Sequence, residues 1–181
     1  YTGICLELRA DHTYLYSSET DLHTDSSSGK WQLNKDTILL NSSIQKNDLP
    51  ISIEEVISKN SETLIFIPIL KNLSKDLVKD ASIYVNEDTA KYCMPAFEND
   101  CKFVKRSVSK IRVVLSNNIS SKWYSLNDSN CDTLKITVNT KKYLDNYIFM
   151  KNLKFVISPK GITPLEFINL SNQKMKYKRQ N

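Results

Sequence analysis

The first places to look for chemistry are acids and imidazoles that stand close together. Asp21, His23 and Asp25 occupy alternate positions in one polar stretch, and clustered oxygens of this kind are what a hard cation wants. The stretch lacks the regular oxygen spacing and the glycine of a calcium loop, so a solvated hairpin loop is the expectation. Glu54 and Glu55 are adjacent. A strand sends neighbouring side chains to opposite faces, which separates them as an acid/base pair. His12 follows Asp11 in a turn, where ordinary Asp turn chemistry accounts for both. No Gly-x-Ser-x-Gly elbow occurs, and no cysteine has a histidine partner in a local motif. No catalytic residue is assigned, and a hydrolase with a non-local active site is the remotest alternative.

The cysteines are Cys5, Cys93, Cys101 and Cys131, an even number with three possible pairings. Cys93 and Cys101 flank a short loop, Met94 to Asp100, that contains Pro95. A bridge between them would staple a turn between two strands, which is geometrically easy in a hairpin. The other open reading is four buried thiols, since unpaired cysteine is among the most buried residue types. Export into an oxidising compartment would favour the bridge.

Trp31, Trp123, Tyr124, Tyr143, Tyr147 and Phe149 could line a ligand groove. The plainer alternative is that Trp31 and one of Trp123 and Tyr124 are core residues with their polar ends at the rim. Because Trp123 and Tyr124 are neighbours, one should face inward and the other outward. These two are therefore the aromatic candidates for ligand contact.

The elements that must position these residues are strands. Apolar and polar residues alternate through Leu6–Arg9, Thr13–Tyr16, Lys30–Leu33 and Thr37–Asn41, with polar turns between them, the pattern of an antiparallel meander. Ser17 to Ser28 reads as a loop and Gln45 to Pro50 as a connector. Strand signals resume at Ile51–Ile57, Leu64–Ile69, Ala81–Val85, Lys102–Val104, Lys110–Leu115, Lys122–Leu126 and Thr133–Val138. They continue at Leu153–Ile157, Leu165–Ile168 and Lys174–Lys178. One helix is expected at Lys141–Met150, where Tyr143, Leu144, Tyr147 and Ile148 recur at helical spacing behind a capping Thr140. The fold class is mainly β: an antiparallel meander over residues 1–45, then a β-sandwich over 50–181, with at most one or two short helices. The two regions are free to share one core.

Composition narrows the function classes. The 181 residues hold 25 Lys+Arg against 20 Asp+Glu, a formal charge of +5. Only four of the cations are arginine and they are scattered, which argues against nucleic-acid readout, where clustered arginine prevails. The one dense basic run, Lys174 to Arg179, fits a solvated edge or tail. Three glycines are too few for a phosphate loop or a dinucleotide fingerprint. Two histidines and the lack of a Cys-x-x-Cys pair leave out the common zinc arrangements. No cofactor or metal is expected. No apolar run approaches the about 18 residues of a membrane span. The chain opens at Tyr1 without methionine, as a processed or truncated protein would.

Three stretches carry a resemblance: Arg9-Ala10-Asp11-His12-Thr13-Tyr14-Leu15-Tyr16, Ser28-Gly29-Lys30-Trp31-Gln32-Leu33 and Asp36-Thr37-Ile38-Leu39-Leu40-Asn41-Ser42. Together they resemble the DGTY…SSGxW…DTLxLNS meander of uncharacterised secreted proteins and lipoproteins of Bacteroidota, with His12 in place of the usual turn glycine. Leu64 to Pro68, Leu77 to Val85 and Phe103 to Leu115 are more faintly similar to the strands of a transthyretin-like, carboxypeptidase-regulatory β-sandwich. The prolines and glycines of that family are missing, and so is its TDxxG turn unless Phe97-Glu98-Asn99-Asp100 stands in for it. The resemblance implies a cell-envelope or extracellular address, periplasmic or lipid-anchored in the outer membrane through a cysteine upstream of Tyr1. It implies a non-catalytic binding module with a protein or glycan partner. A glycan or small-ligand binder using Trp123 and Tyr124 is the alternative.

Overall fold

The structure, a computed structural model, describes residues 3–57, 61–70, 73–94, 101–127, 130–140, 144–159 and 161–165. In chain order the elements begin with β1 (Gly3–Leu8), β2 (Thr13–Glu19), β3 (Thr24–Asn34), β4 (Thr37–Ser42), β5 (Ile51–Val56) and β6 (Thr63–Ile69). The helix α1 (Lys75–Lys79), β7 (Ser82–Val85), β8 (Asp88–Cys93), β9 (Cys101–Val104) and β10 (Lys110–Val114) follow. The last are β11 (Tyr124–Ser125), β12 (Thr133–Val138), β13 (Leu153–Ser158) and β14 (Gly161–Pro164). The protein is mainly β, and the helical elements among the described residues are short. The chain forms two compact units, one holding the chain up to Gln45 and the segment from Asn146 on, the other Lys46–Asp145.

The first unit is a six-stranded sheet in the order β1-β2-β3-β4-β13-β14. The strands β13 and β14, expected inside the sandwich, instead extend the meander. The reason is the alternation of β13: Leu153 and Phe155 pair opposite Leu40 and Ile38, and all four bury on one face with Tyr14, Tyr16 and Met150. Much of the expected Ser17–Ser28 loop is strand. Its serines pair directly with β2, Ser26 opposite Ser17 and Ser27 opposite Tyr16, around a turn of Asp21 and Leu22. Small side chains are what this stretch needs, because the Tyr14 hydroxyl sits 2.9 Å from Ser27 Oγ and Tyr147 donates to the Ser28 carbonyl at 2.8 Å.

Gly29 has a steric reason to be glycine. A Cβ there would lie 2.0 Å from the Asn41 carbonyl oxygen and 2.6 Å from Ser42 Cα, so only a bare backbone lets β3 and β4 approach. His12 adopts the left-handed conformation at φ 62°, a region that glycine enters without penalty.

The expected helix at Lys141–Met150 is not found in its described part, residues 144–150. The backbone there bends and turns through 144–146 and then bridges β3 at Tyr147: Ser26 donates to Asn146 O and Ile148 donates to Ser26 O, both at 2.8 Å. The near-helical spacing of Leu144, Tyr147 and Ile148 reflects burial from an irregular segment. Lys141, Lys142 and Tyr143 lie outside the described residues, as do the expected strand at Lys174–Lys178 and all but Leu165 of the one at Leu165–Ile168. The helix that does form, α1, is capped by Ser74, whose Oγ accepts from Leu77 N at 3.2 Å. The Leu77–Val85 stretch is therefore a strand only from Ser82 on.

The second unit consists of two four-stranded sheets, β5-β12-β6-β9 and β11-β10-β7-β8. Pairing is antiparallel apart from β12 against β6, which is parallel. Leu64, Phe66, Leu134, Ile136 and Val138 are buried from the first sheet, Ile83, Val85, Ile111 and Val113 from the second. Pro68 and Ile136 line one small space together with Ile83 and Val113, as the facing layers of a sandwich do. Both open edges are tied. Cys93 of β8 and Cys101 of β9 form a disulfide; these strands belong to different sheets, so the bond spans the sandwich instead of closing a hairpin. At the other edge, Tyr124 of β11 donates to Glu55 Oε1 of β5 at 2.9 Å.

Candidate binding face

The outer face of the β11-β10-β7-β8 sheet gathers the side chains best suited to holding a ligand. In β10, Ile111 and Val113 are buried, so Lys110 and Arg112 point the other way. In β7, Ile83 and Val85 are buried, which sends Tyr84 outward beside Arg112, its cross-strand partner. Tyr84 in turn pairs with Tyr92 of β8, their ring centroids 5.4 Å apart and tilted by 36°. On the far side, the Trp123 ring lies 5.5 Å from Lys110 Nζ and 6.0 Å from Arg112 Cζ, within the range of cation–π attraction. Trp123, just before β11, thus forms one row with Arg112 of β10, Tyr84 of β7 and Tyr92 of β8, about 14 Å long at ordinary strand spacing. Tyr92 is 45% exposed; Trp123, Arg112 and Tyr84 are half-buried.

Local chemistry holds this row in place. Asn86 and Glu87 both have positive φ, the signature of a two-residue hairpin turn. Asn86 Oδ1 accepts from Ser109 N at 2.8 Å and Lys110 N at 3.2 Å, anchoring the start of β10. Glu87 Oε1 pairs with Lys110 Nζ at 2.5 Å, and Lys122 pairs with Asp48. Arg112 differs. Its Nε donates to the Ser121 carbonyl at 3.0 Å and its Nη2 to Ser120 Oγ, and no carboxylate among the described residues pairs with it. A guanidinium carries five N–H donors, so three are unspent and the charge has no counter-ion among the described residues. The hydroxyls of Tyr84 and Tyr92 and the Trp123 indole N–H also make no hydrogen bond to described residues.

Tyr124 turns the opposite way from Trp123. Glu55 Oε1 accepts from its hydroxyl and from Asn127 N at 2.8 Å. Burial, then the Glu55 carboxylate, push the Tyr124 hydroxyl above its ordinary pKa. Tyr124 is a clasp between sheets, and of the two aromatics only Trp123 stands on the row. Glu54 points away from Glu55 and pairs with Lys135 at 3.1 Å. In the first unit, Tyr147 is buried with Phe149 against its edge. Trp31 stacks on His12 at 4.9 Å and donates to the Arg9 carbonyl. Tyr143 lies outside the described residues. His23 Nε2 stands 2.6 Å from Asp25 Oδ1, and no three acids, histidines or cysteines among the described residues converge as a metal site.

Sequence reasoning does not single out Arg112, Tyr84 or Tyr92. The alternation Lys110-Ile111-Arg112 does place two cations on one face. The tyrosine pair is out of reach, because a regular hairpin would set Thr89 opposite Tyr84. The irregularity between Tyr84 and Val85 brings Tyr92 there instead. Comparison of the chain with protein-family models, with curated proteins and with solved structures gave no match.

Proposed function

We propose that this chain is a non-catalytic binding module of the cell envelope or extracellular space, working through the Trp123–Arg112–Tyr84–Tyr92 row. The observation that carries this reading is the row itself. Aromatic rings and unspent donors stand side by side on one face of the sheet, and its rim acid Glu87 is engaged by Lys110. Such a surface supplies stacking and hydrogen bonding, which hold a ligand. Chemistry would need a nucleophile or base aimed at a reacting atom, and the row has none. The disulfide between Cys93 and Cys101 and the resemblance of the meander to secreted lipoproteins both support an oxidising address.

The test is a combined glycan and peptide array probed with the full chain and with Tyr92→Ala. The expected result is retention of a defined ligand group by the wild type and its loss in the variant, with the fold checked by circular dichroism. Retention that survives Tyr92→Ala, or turnover of ester or glycoside substrates by the wild type, overturns the reading.

A further inference from the structure

We infer that the ligand of this face is an acidic glycan, a chain of sugar rings bearing carboxylate or sulfate groups. This rests on the reading of the row as the binding site and adds the class of ligand. Three observations carry it. First, Arg112 is half-buried, is fixed by neutral oxygens of Ser120 and Ser121 and has no carboxylate partner among the described residues. A cation held this way, with three N–H groups unspent, is prepared for an anion with two or more oxygens, which a guanidinium fork grips better than a point charge does. Lys110 and Lys122 differ, being paired with Glu87 and Asp48.

Second, the arginine is flanked on both sides by rings. Tyr84 and Tyr92 lie on one side and Trp123 on the other, so an anion on Arg112 belongs to a ligand that continues over aromatic faces. The C–H faces of pyranose rings stack on such surfaces, while the indole N–H and two tyrosine hydroxyls meet ring hydroxyls. Third, the row crosses the middle of the sheet at right angles to its strands. An extended peptide joins a sheet by pairing with an edge strand, which a row across the face does not offer. A linear saccharide of a few rings spans the about 14 Å of the row.

The test uses the full chain with Trp31→Phe, which leaves Trp123 as the one indole and its fluorescence as the readout. The probes are a galacturonate oligosaccharide, its methyl ester, a heparin oligosaccharide and poly-glutamate. The expected result is saturable quenching by galacturonate or heparin, at least tenfold weaker binding of the methyl ester, and none of poly-glutamate at equal charge. Arg112→Gln should cost at least tenfold in affinity for the acidic glycan, with Arg112→Lys intermediate, since it keeps charge and loses the fork. Equal affinity for the ester, or for poly-glutamate, overturns the inference. So does failure of both acidic glycans to bind. If the array ligand is then neutral and still lost in Tyr92→Ala, the binding face stands and only the ligand class falls.

Discussion

Two tyrosines of the first unit illustrate how much a single hydroxyl decides. Tyr14 and Tyr16 are both buried in the same core, yet Tyr14 bonds to Ser27 while the Tyr16 hydroxyl has no hydrogen-bond partner among the described residues. Removing one member of a buried pair strands the other, whereas removing a hydroxyl without a partner strands nothing. Tyr14→Phe should therefore cost about 1–2 kcal/mol and Tyr16→Phe less than about 0.5 kcal/mol, measured by urea denaturation. Burial pushes both hydroxyls up to about 12, and at Tyr14 the Ser27 hydrogen bond opposes the shift. A raised pKa in the fold means that the neutral form is the one stabilised. Its contribution is complete below about pH 10 and is lost as pH rises through about 12. Tyrosinate absorbance and near-UV dichroism should show late-titrating tyrosines, Tyr14 and Tyr16 among them, whose ionisation accompanies loss of structure. Titration of all nine tyrosines near pH 10 in the intact fold would contradict this.

At the scale of elements, close approach and edge ties matter more than local propensity. Gly29→Ala forces a Cβ into the β4 backbone, and a backbone cannot turn aside as a side chain can. A loss of about 3 kcal/mol is expected, at the upper end of overpacking costs, seen as a lowered urea midpoint. Removing the disulfide with Cys93→Ala and Cys101→Ala together should cost about 2–3 kcal/mol. Thiol titration of the denatured, unreduced wild type should find two reactive thiols, Cys5 and Cys131, because the other two are bonded. Four reactive thiols would remove the bond from the account. Strands with strict apolar alternation, such as Leu134-Lys135-Ile136-Thr137-Val138, were legible from sequence because burial on one face leaves a period of two. The start of β3 was not: Asp25 to Ser28 carry turn-forming side chains, and what makes them a strand is their fit beside Tyr14 and Tyr147. The 144–150 segment misled because buried residues in irregular backbone can mimic helical spacing.

For the whole molecule, the site was legible only as far as Trp123. That one of Trp123 and Tyr124 faces outward can be read from a strand, but which of the two does, and the row itself, depend on which strands are neighbours and in what register. Arg112 meets Tyr84, and Tyr84 meets Tyr92, through pairings between residues 28 and 8 positions apart, the second set by an irregularity that no periodicity announces. The charge of +5 also acquires a place: among its cations, Arg112 is held at the centre of the row with no counter-ion among the described residues. The most direct measurement is a proton–nitrogen correlation spectrum of the full chain titrated with the saccharide or peptide that the array retains. The account predicts saturable shifts of the Trp123 indole N–H and of the amides around Tyr84, Tyr92 and Arg112, with the Trp31 indole unmoved. Shifts centred on Trp31 and the first unit, with Trp123 unmoved, would contradict it.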